Sequence, residues 1–183
     1  MSVAGRLHKK LVIAEIGVYK GDNALDMLTT ADNIDKLYLI DNYKPYYKWL
    51  TDAEGNTCTQ EDADGMFETT KKRFESYNGK VSFIRKDSVL TAADFPDKFF
   101  HYVYIDGGHD YDIVKKDLEA WYPKVKDFGV LGGHDSAYDH VTAAVVEFAA
   151  SRKLTLHFVN AIRHGITVAE INNFEDWWIL KLP

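Results

Sequence analysis

One cysteine, a deficit of positive charge and no long apolar run set the limits on what this 183-residue chain can be. The lone thiol, Cys58, excludes an intrachain disulfide and a cysteine-based zinc cluster. No apolar stretch approaches the roughly 18 residues that a membrane-spanning helix requires. Lys and Arg number 22 against 28 Asp and Glu, a net charge of −6. That is a poor electrostatic footprint for a phosphate polymer, so nucleic acid is not expected as a partner. The opening MSVAGRLHKK runs straight into LVIAEIGV, too short an apolar stretch for a signal peptide and without a small-residue cleavage site. A cytoplasmic location is the expectation. Internal repeats and low-complexity tracts are also lacking. What is present is the balance of a globule: 46% hydrophobic and 27% charged residues, which argues against disorder. At about 150 residues per domain, one domain over residues 1–183 is expected.

Short apolar runs alternate with helical stretches, the signature of an α/β sheet. LVIAEI (11–16), LYLID (37–41), VSFIR (81–85), HYVYID (101–106) and FGVLGG (128–133) read as buried strands. Helices are expected over 23–30, about 66–77, about 111–122 and 141–152, the last from Val141, Ala144, Val145, Phe148 and Ala149 at helical spacing. LTLHFVN (154–160) and WWILKL (177–182) lie close together and read as an antiparallel pair closing one sheet edge. Residues 44–79 form a long connection with an acidic, turn-rich centre and are expected to serve as an acceptor-site flap.

Open parallel sheets bind ligands at the carboxyl ends of their strands. Those ends carry Glu15-Ile-Gly17, Asp41-Asn42, Lys86-Asp87-Ser88, Asp106-Gly-Gly-His109 and His134-Asp135. A carboxylate at or beside five successive strand ends is hard to ascribe to solvated loops alone. The first turn offers Gly17 and Gly21, where backbone can approach a ligand without a Cβ in the way. A dinucleotide fingerprint needs a third glycine, which is absent. Asp41 lies about 20 residues beyond Gly21, the placement of an acid that accepts from ribose hydroxyls. Together these features point to a nucleoside without a diphosphate.

The series E-I-G-V-Y-K-G, L-I-D-N, K-D-S, Y-I-D-G-G-H-D-Y and G-V-L-G-G-H-D resembles the class I S-adenosylmethionine-dependent methyltransferases, and within them the small branch whose fourth strand ends in V-x-I-D-G-x-H-x-Y. The resemblance extends from Leu11 to WWILKL. It implies a Rossmann-like sheet of seven strands, mostly parallel with the last antiparallel, and helices on both faces. It also implies that Glu15, Gly17 and Gly21 shape the pocket for the methionine part of the cofactor. By the same resemblance Asp41 holds the ribose with help from Asn42, Asp87 and Ser88 flank the adenine, and Asp106 borders the cofactor. The N-terminal helix that often covers the cofactor in such enzymes is expected to be short or missing.

Asp106, His109, His134 and Asp135 are the most chemically suggestive set. Carboxylate and imidazole from neighbouring strand ends can hold Mg²⁺ or Mn²⁺, and the resemblance to metal-dependent O-methyltransferases places Asp106, His134 and Asp135 at the metal. Histidine at position 134 departs from the acid usual there. Without a metal, His109 is the expected general base, with Asp106 beside it. Tyr111 and Tyr138 are candidates for lining the acceptor pocket, and His140 is a further candidate because it lies close to the fifth strand end, while His8, His101, His157 and His164 read as surface or packing residues. The segment Asp41 to Trp49 combines aromatics with two lysines, as a flap or a stacking surface does. The leading expectation is O-methylation of a small molecule such as a sugar, a phenol or a natural-product intermediate. A metal-dependent hydrolase or hydroxylase-like enzyme and a non-catalytic cofactor-binding scaffold are the alternatives; the missing glycine disfavours an oxidoreductase. Pairing of the aromatic tail with a second copy stays open.

Overall fold

A computed structural model of the chain describes residues 10–45, 58–160 and 174–183. Seven strands form one sheet: β1 (Leu11–Ile16), β2 (Ile34–Ile40), β3 (Val81–Ile84), β4 (Phe100–Ile105), β5 (Val125–Gly133), β6 (Leu156–Asn160) and β7 (Phe174–Leu180). Five helices accompany them: α1 (Asp22–Thr30), α2 (Gln60–Arg73), α3 (Ser88–Ala92), α4 (Tyr111–Trp121) and α5 (Asp139–Ser151). The strand order is β3-β2-β1-β4-β5-β7-β6. Strands β1 to β5 pair in parallel, and β7 lies between β5 and β6, antiparallel to both. The expected doubly covered, mostly parallel α/β sheet with an antiparallel tail is therefore the observed one.

Each face buries its own core. On one side α3, α4 and α5 pack Ala92, Leu118, Trp121, Val145 and Phe148 against Ile16, Val103, Leu131 and Trp177. On the other, α1 and α2 lay Ala24, Leu28, Met66 and Phe67 over Ile13, Leu37 and Leu39. Among the described residues no helix is long and apolar enough to cross a membrane.

Several boundaries depart from expectation for local reasons. The helix expected from residue 66 starts at Gln60, because Thr59 and Asp62 form a reciprocal capping box, and it ends at Arg73 before a 3-10 turn over Glu75–Tyr77. Helix α3 has five residues, too few to show a period, and starts where the Asp87 carboxylate accepts the Leu90 N–H at 3.0 Å. Strand β5 begins at Val125 and carries Phe128 exposed at a left-handed φ of 62°. The aromatic and lysine stretch from Tyr46 to Trp49, together with His8 and His164, lies outside the described residues.

Register decides what comes next. Ile16 pairs with both Ile40 and Ile105, Ile40 with Ile84, and Ile105 with Gly133. The residues that follow, Gly17, Asp41, Arg85, Asp106 and His134, thus leave the sheet along one edge. The strand order reverses between β1 and β4, which is where such sheets open a crevice.

Candidate active site

At the switch point the β1 turn and the β4 end are in contact. The Asp106 N–H donates to Ile16 O at 2.7 Å, and the Gly17 N–H donates to Ile40 O at 2.9 Å. Gly17 has φ +81°, and a Cβ there would lie 2.5 Å from the Asp106 carbonyl carbon and 2.6 Å from the Gly107 Cα. Gly21, at φ +78°, is needed for another reason: a Cβ would strike the Phe74 ring at 2.7 Å. The turn between these glycines hangs on Asp41. Its Oδ2 accepts the N–H groups of Val18 at 2.9 Å and Tyr19 at 3.1 Å, and its Oδ1 accepts that of Tyr43 at 2.8 Å. The described part of the long connection supports the same turn from behind. The Thr70 and Tyr43 hydroxyls both donate to Tyr19 O, at 3.1 and 3.0 Å, and Arg73 donates to Lys20 O and to Asp22.

Over these strand ends opens a cleft of about 320 Å³. Gly17, Asp41, Asn42, Asp87 and Ser88 line it, together with Gly107, Lys86, Lys116 and Asp117. Five of the sequence-predicted cofactor residues therefore share one cleft. Glu15, Gly21 and Asp106 are not among its lining residues. Glu15 is 1% exposed; its Oε1 accepts from Asn23 Nδ2 at 2.8 Å, and its Oε2 is buried without a partner among the described residues. Burial pushes its carboxyl up to about 8, against the lowering effect of Asn23 and with help from the charges of Asp106 and Asp41.

Across Gly107 and Gly108 lies a second cluster. Asp135, at a left-handed φ of 61°, meets His109 Nε2 at 2.7 Å and His134 Nδ1 at 3.1 Å. His134 Nδ1 is also 3.8 Å from the Asp106 carboxylate. Burial alone would raise Asp135, but the hydrogen bonds from His109 and His134 outweigh it and hold the carboxyl well below its usual range. Its hydrogen bond in turn raises both imidazoles, His134 to about 9. Asp106 is pushed up to about 7, by burial first, with His134 opposing and Asp135 assisting. The Tyr138 ring stacks on His109 at 5.3 Å, and Trp177 Nε1 donates to His134 O at 3.2 Å. One ligand atom each from Asp106, His134 and Asp135 lies within 4.8 Å of the others, and this mixed carboxylate and imidazole set suits a divalent ion.

The four residues singled out as most reactive are thus together. Others fall elsewhere. His101 is buried and its Nδ1 accepts the Val12 N–H at 2.9 Å, His157 stacks on Trp178 at 3.9 Å, and the Tyr111 hydroxyl donates to Glu147. Two features were missed. Tyr104, whose buried hydroxyl donates to Asp176 Oδ1 at 2.8 Å, joins the edge of the second cluster because β7 brings Asp176 there. Asp117, 3% exposed, enters the cleft from α4; a lone acid on the apolar stripe of Val114, Leu118 and Trp121 was the available signal.

Residues 14–136 match the family model of a methyltransferase domain. No curated protein matches the chain in sequence. Among solved structures, the precorrin-6y C5,15-methyltransferase of Geobacter metallireducens is similar with a TM-score of 0.64 at 15% identity, over 97% of this chain and 85% of that one. A Staphylococcus aureus protein assigned as a caffeoyl-CoA O-methyltransferase gives 0.62 at 16%, over 96% and 78%. SMU.1697c of Streptococcus mutans, assigned as a methyltransferase and solved in complex with SAH, gives 0.62 at 13%, over 98% and 94%. At such identities the likeness is one of fold.

Proposed function

The chain belongs to the methyltransferase-domain family and has the Rossmann-like fold of the class I S-adenosylmethionine-dependent enzymes; from that premise we propose that it moves the methyl group of S-adenosylmethionine to a hydroxyl of a small molecule in the cytoplasm. One observation carries this reading: the cleft over Gly17, Asp41 and Ser88 adjoins the Asp106, His109, His134 and Asp135 cluster through Gly107 and Gly108. A nucleoside site and a proton-handling site meet at one sheet edge.

S-adenosylmethionine, when bound, supplies a methyl group activated by its sulfonium. The protein's part is alignment and proton removal. Gly17 leaves the backbone bare where the methionine part would lie, and Asp41 fixes that turn while facing the ribose side of the cleft. Holding the acceptor in line contributes roughly 7–11 kcal/mol in well-oriented systems. His109 Nε2 is held by Asp135 at 2.7 Å, which fixes the imidazole that would take the proton of the acceptor hydroxyl. Asp135 then stabilises the imidazolium, and Asp106 is the neighbouring second base. Asp106, His134 and Asp135 would hold a divalent ion, with the imidazole favouring Mn²⁺ over Mg²⁺; such an ion, when bound, lowers the pKa of a coordinated hydroxyl. Sugars, phenols and natural-product intermediates are the acceptor classes to screen.

Calorimetry with S-adenosylhomocysteine tests the cleft, and binding is expected. Folded protein that ignores it at millimolar concentration overturns the proposal. Binding with no methyl transfer across a broad acceptor screen returns the scaffold alternative.

A further inference from the structure

On the α4 side of the cleft stands a carboxyl group that the methyl-transfer chemistry does not use. Asp117 is 3% exposed and sits between Val114 and Trp121 on the buried stripe of its helix. Its Oδ1 accepts the Ser88 hydroxyl, and the Ser88 oxygen accepts Trp121 Nε1–H at 2.8 Å. Its Oδ2 has no hydrogen-bond partner among the described residues, while the residue lines the cleft. Burying a carboxylate is costly unless its lone pairs are filled. Here burial pushes Asp117 up to about 6, with the Ser88 hydrogen bond opposing, so near neutral pH it is still mostly ionised and offers an acceptor oxygen. That oxygen calls for an N–H donor from a ligand.

The other polar groups of the cleft are already engaged or suit other partners. Both Asp41 oxygens hold backbone N–H groups. Asp87 is exposed at the rim and caps α3. The Ser88 hydroxyl is spent on Asp117. Lys86 and Lys116 line the cleft but offer no acceptor. Asp41 at the β2 end marks the ribose side, which leaves the base toward Ser88, Ile113 and Asp117.

Building on the nucleoside reading above, we propose that Asp117 is a specificity-determining residue of the cleft, its Oδ2 accepting the exocyclic amino group of the bound base and so selecting an amino purine over a 6-oxo purine.

The test is calorimetry with S-adenosylhomocysteine and S-inosylhomocysteine on the native chain, Asp117→Asn and Asp117→Ala. The native protein is expected to prefer the adenosyl ligand roughly tenfold or more, as for a buried acceptor left unmatched by the analogue. In Asp117→Asn, Ser88 still donates to the amide oxygen and turns the amide N–H groups to the cleft. The preference then falls to about one or inverts. Asp117→Ala brings it near one by weakening the adenosyl ligand alone. A purely structural role would weaken both ligands alike and leave their ratio untouched, so an unchanged ratio in folded variants overturns the inference. Should neither variant fold, a native ratio near one does the same. Adenosyl binding without discrimination removes only the role of Asp117; absence of binding by either ligand to the native chain removes the nucleoside reading with it.

Discussion

Gly17 and Asp106 are packed so closely that a Cβ on Gly17 would run into the Asp106 carbonyl group, 2.5 Å from its carbon. The contact joins the turn under the cleft to the strand end that begins the acid and histidine cluster. Neither side can give way, because the Asp106 N–H is tied to Ile16 O at 2.7 Å and Gly17 itself has φ +81°. Gly17→Ala is therefore expected to lose about 1–3 kcal/mol to backbone strain and more to the collision. Thermal unfolding reads the first effect. Calorimetry with S-adenosylhomocysteine reads the second consequence, a loss of binding in whatever fraction folds. A variant that melts and binds like the native chain would show that the two strand ends are not coupled in this way.

His109 is assigned the acceptor's proton. His109→Ala is expected to lower turnover by roughly 10²–10⁴-fold, the usual contribution of a positioned general base, while the affinity for S-adenosylhomocysteine stays within a factor of about two. Asp135→Asn keeps the shape of the partner but removes the charge that orients and stabilises the imidazolium. It should fall between native and His109→Ala in rate. Single-turnover rates measured beside calorimetric affinities separate the two effects; a joint loss of rate and cofactor affinity would place His109 in the cleft's architecture instead of its chemistry.

The sheet was legible because its strands are continuous apolar runs, and their carboxyl ends could be named before any pairing was known. Register then did what no run could show, setting Gly17, Asp41, Asp106 and His134 on one edge. What stayed hidden depends on partners distant in sequence. Asp117 stands out only as a lone acid on an apolar helical stripe, and what it does there shows only when Ser88, 29 residues earlier, is found donating to it. Asp176 belongs to the site only because β7 inserts beside β5, opposing Trp177 to Gly133. After Val125, β5 runs through Lys126-Asp127-Phe128, which is largely polar and carries a left-handed residue, so its composition does not announce a strand.

Asp106, His134 and Asp135 also permit a direct test of metal binding. Mn²⁺ added to chelator-treated protein should raise the melting temperature, since a ligand that binds only the folded state stabilises it by about 2.7 kcal/mol at a hundredfold excess over its Kd. The rise should vanish in Asp106→Ala and in His134→Ala. His134→Ala leaves the glycine turn and Asp41 untouched, so S-adenosylhomocysteine binding by that variant is the control for folding. An equal rise in native and variant proteins would assign the effect to another surface site.

Glu15 gives the pH dependence of stability its sign. Its carboxyl is raised from 4.5 to about 8 by burial, so the folded chain keeps a proton that the unfolded chain releases above its ordinary pKa. Between those values the native state binds more protons, and stability falls as pH rises. The loss is complete above about 8, where a buried carboxylate with Oε2 unpartnered must be carried. Glu15→Gln retains the oxygen that accepts from Asn23 and removes the ionisation. The variant should match the native chain near pH 5 and exceed it by roughly 2–4 kcal/mol at pH 9, allowing for relaxation around the charge. Urea denaturation across this range measures the gap, and parallel curves for the two proteins would mean that Glu15 is solvated in the folded state.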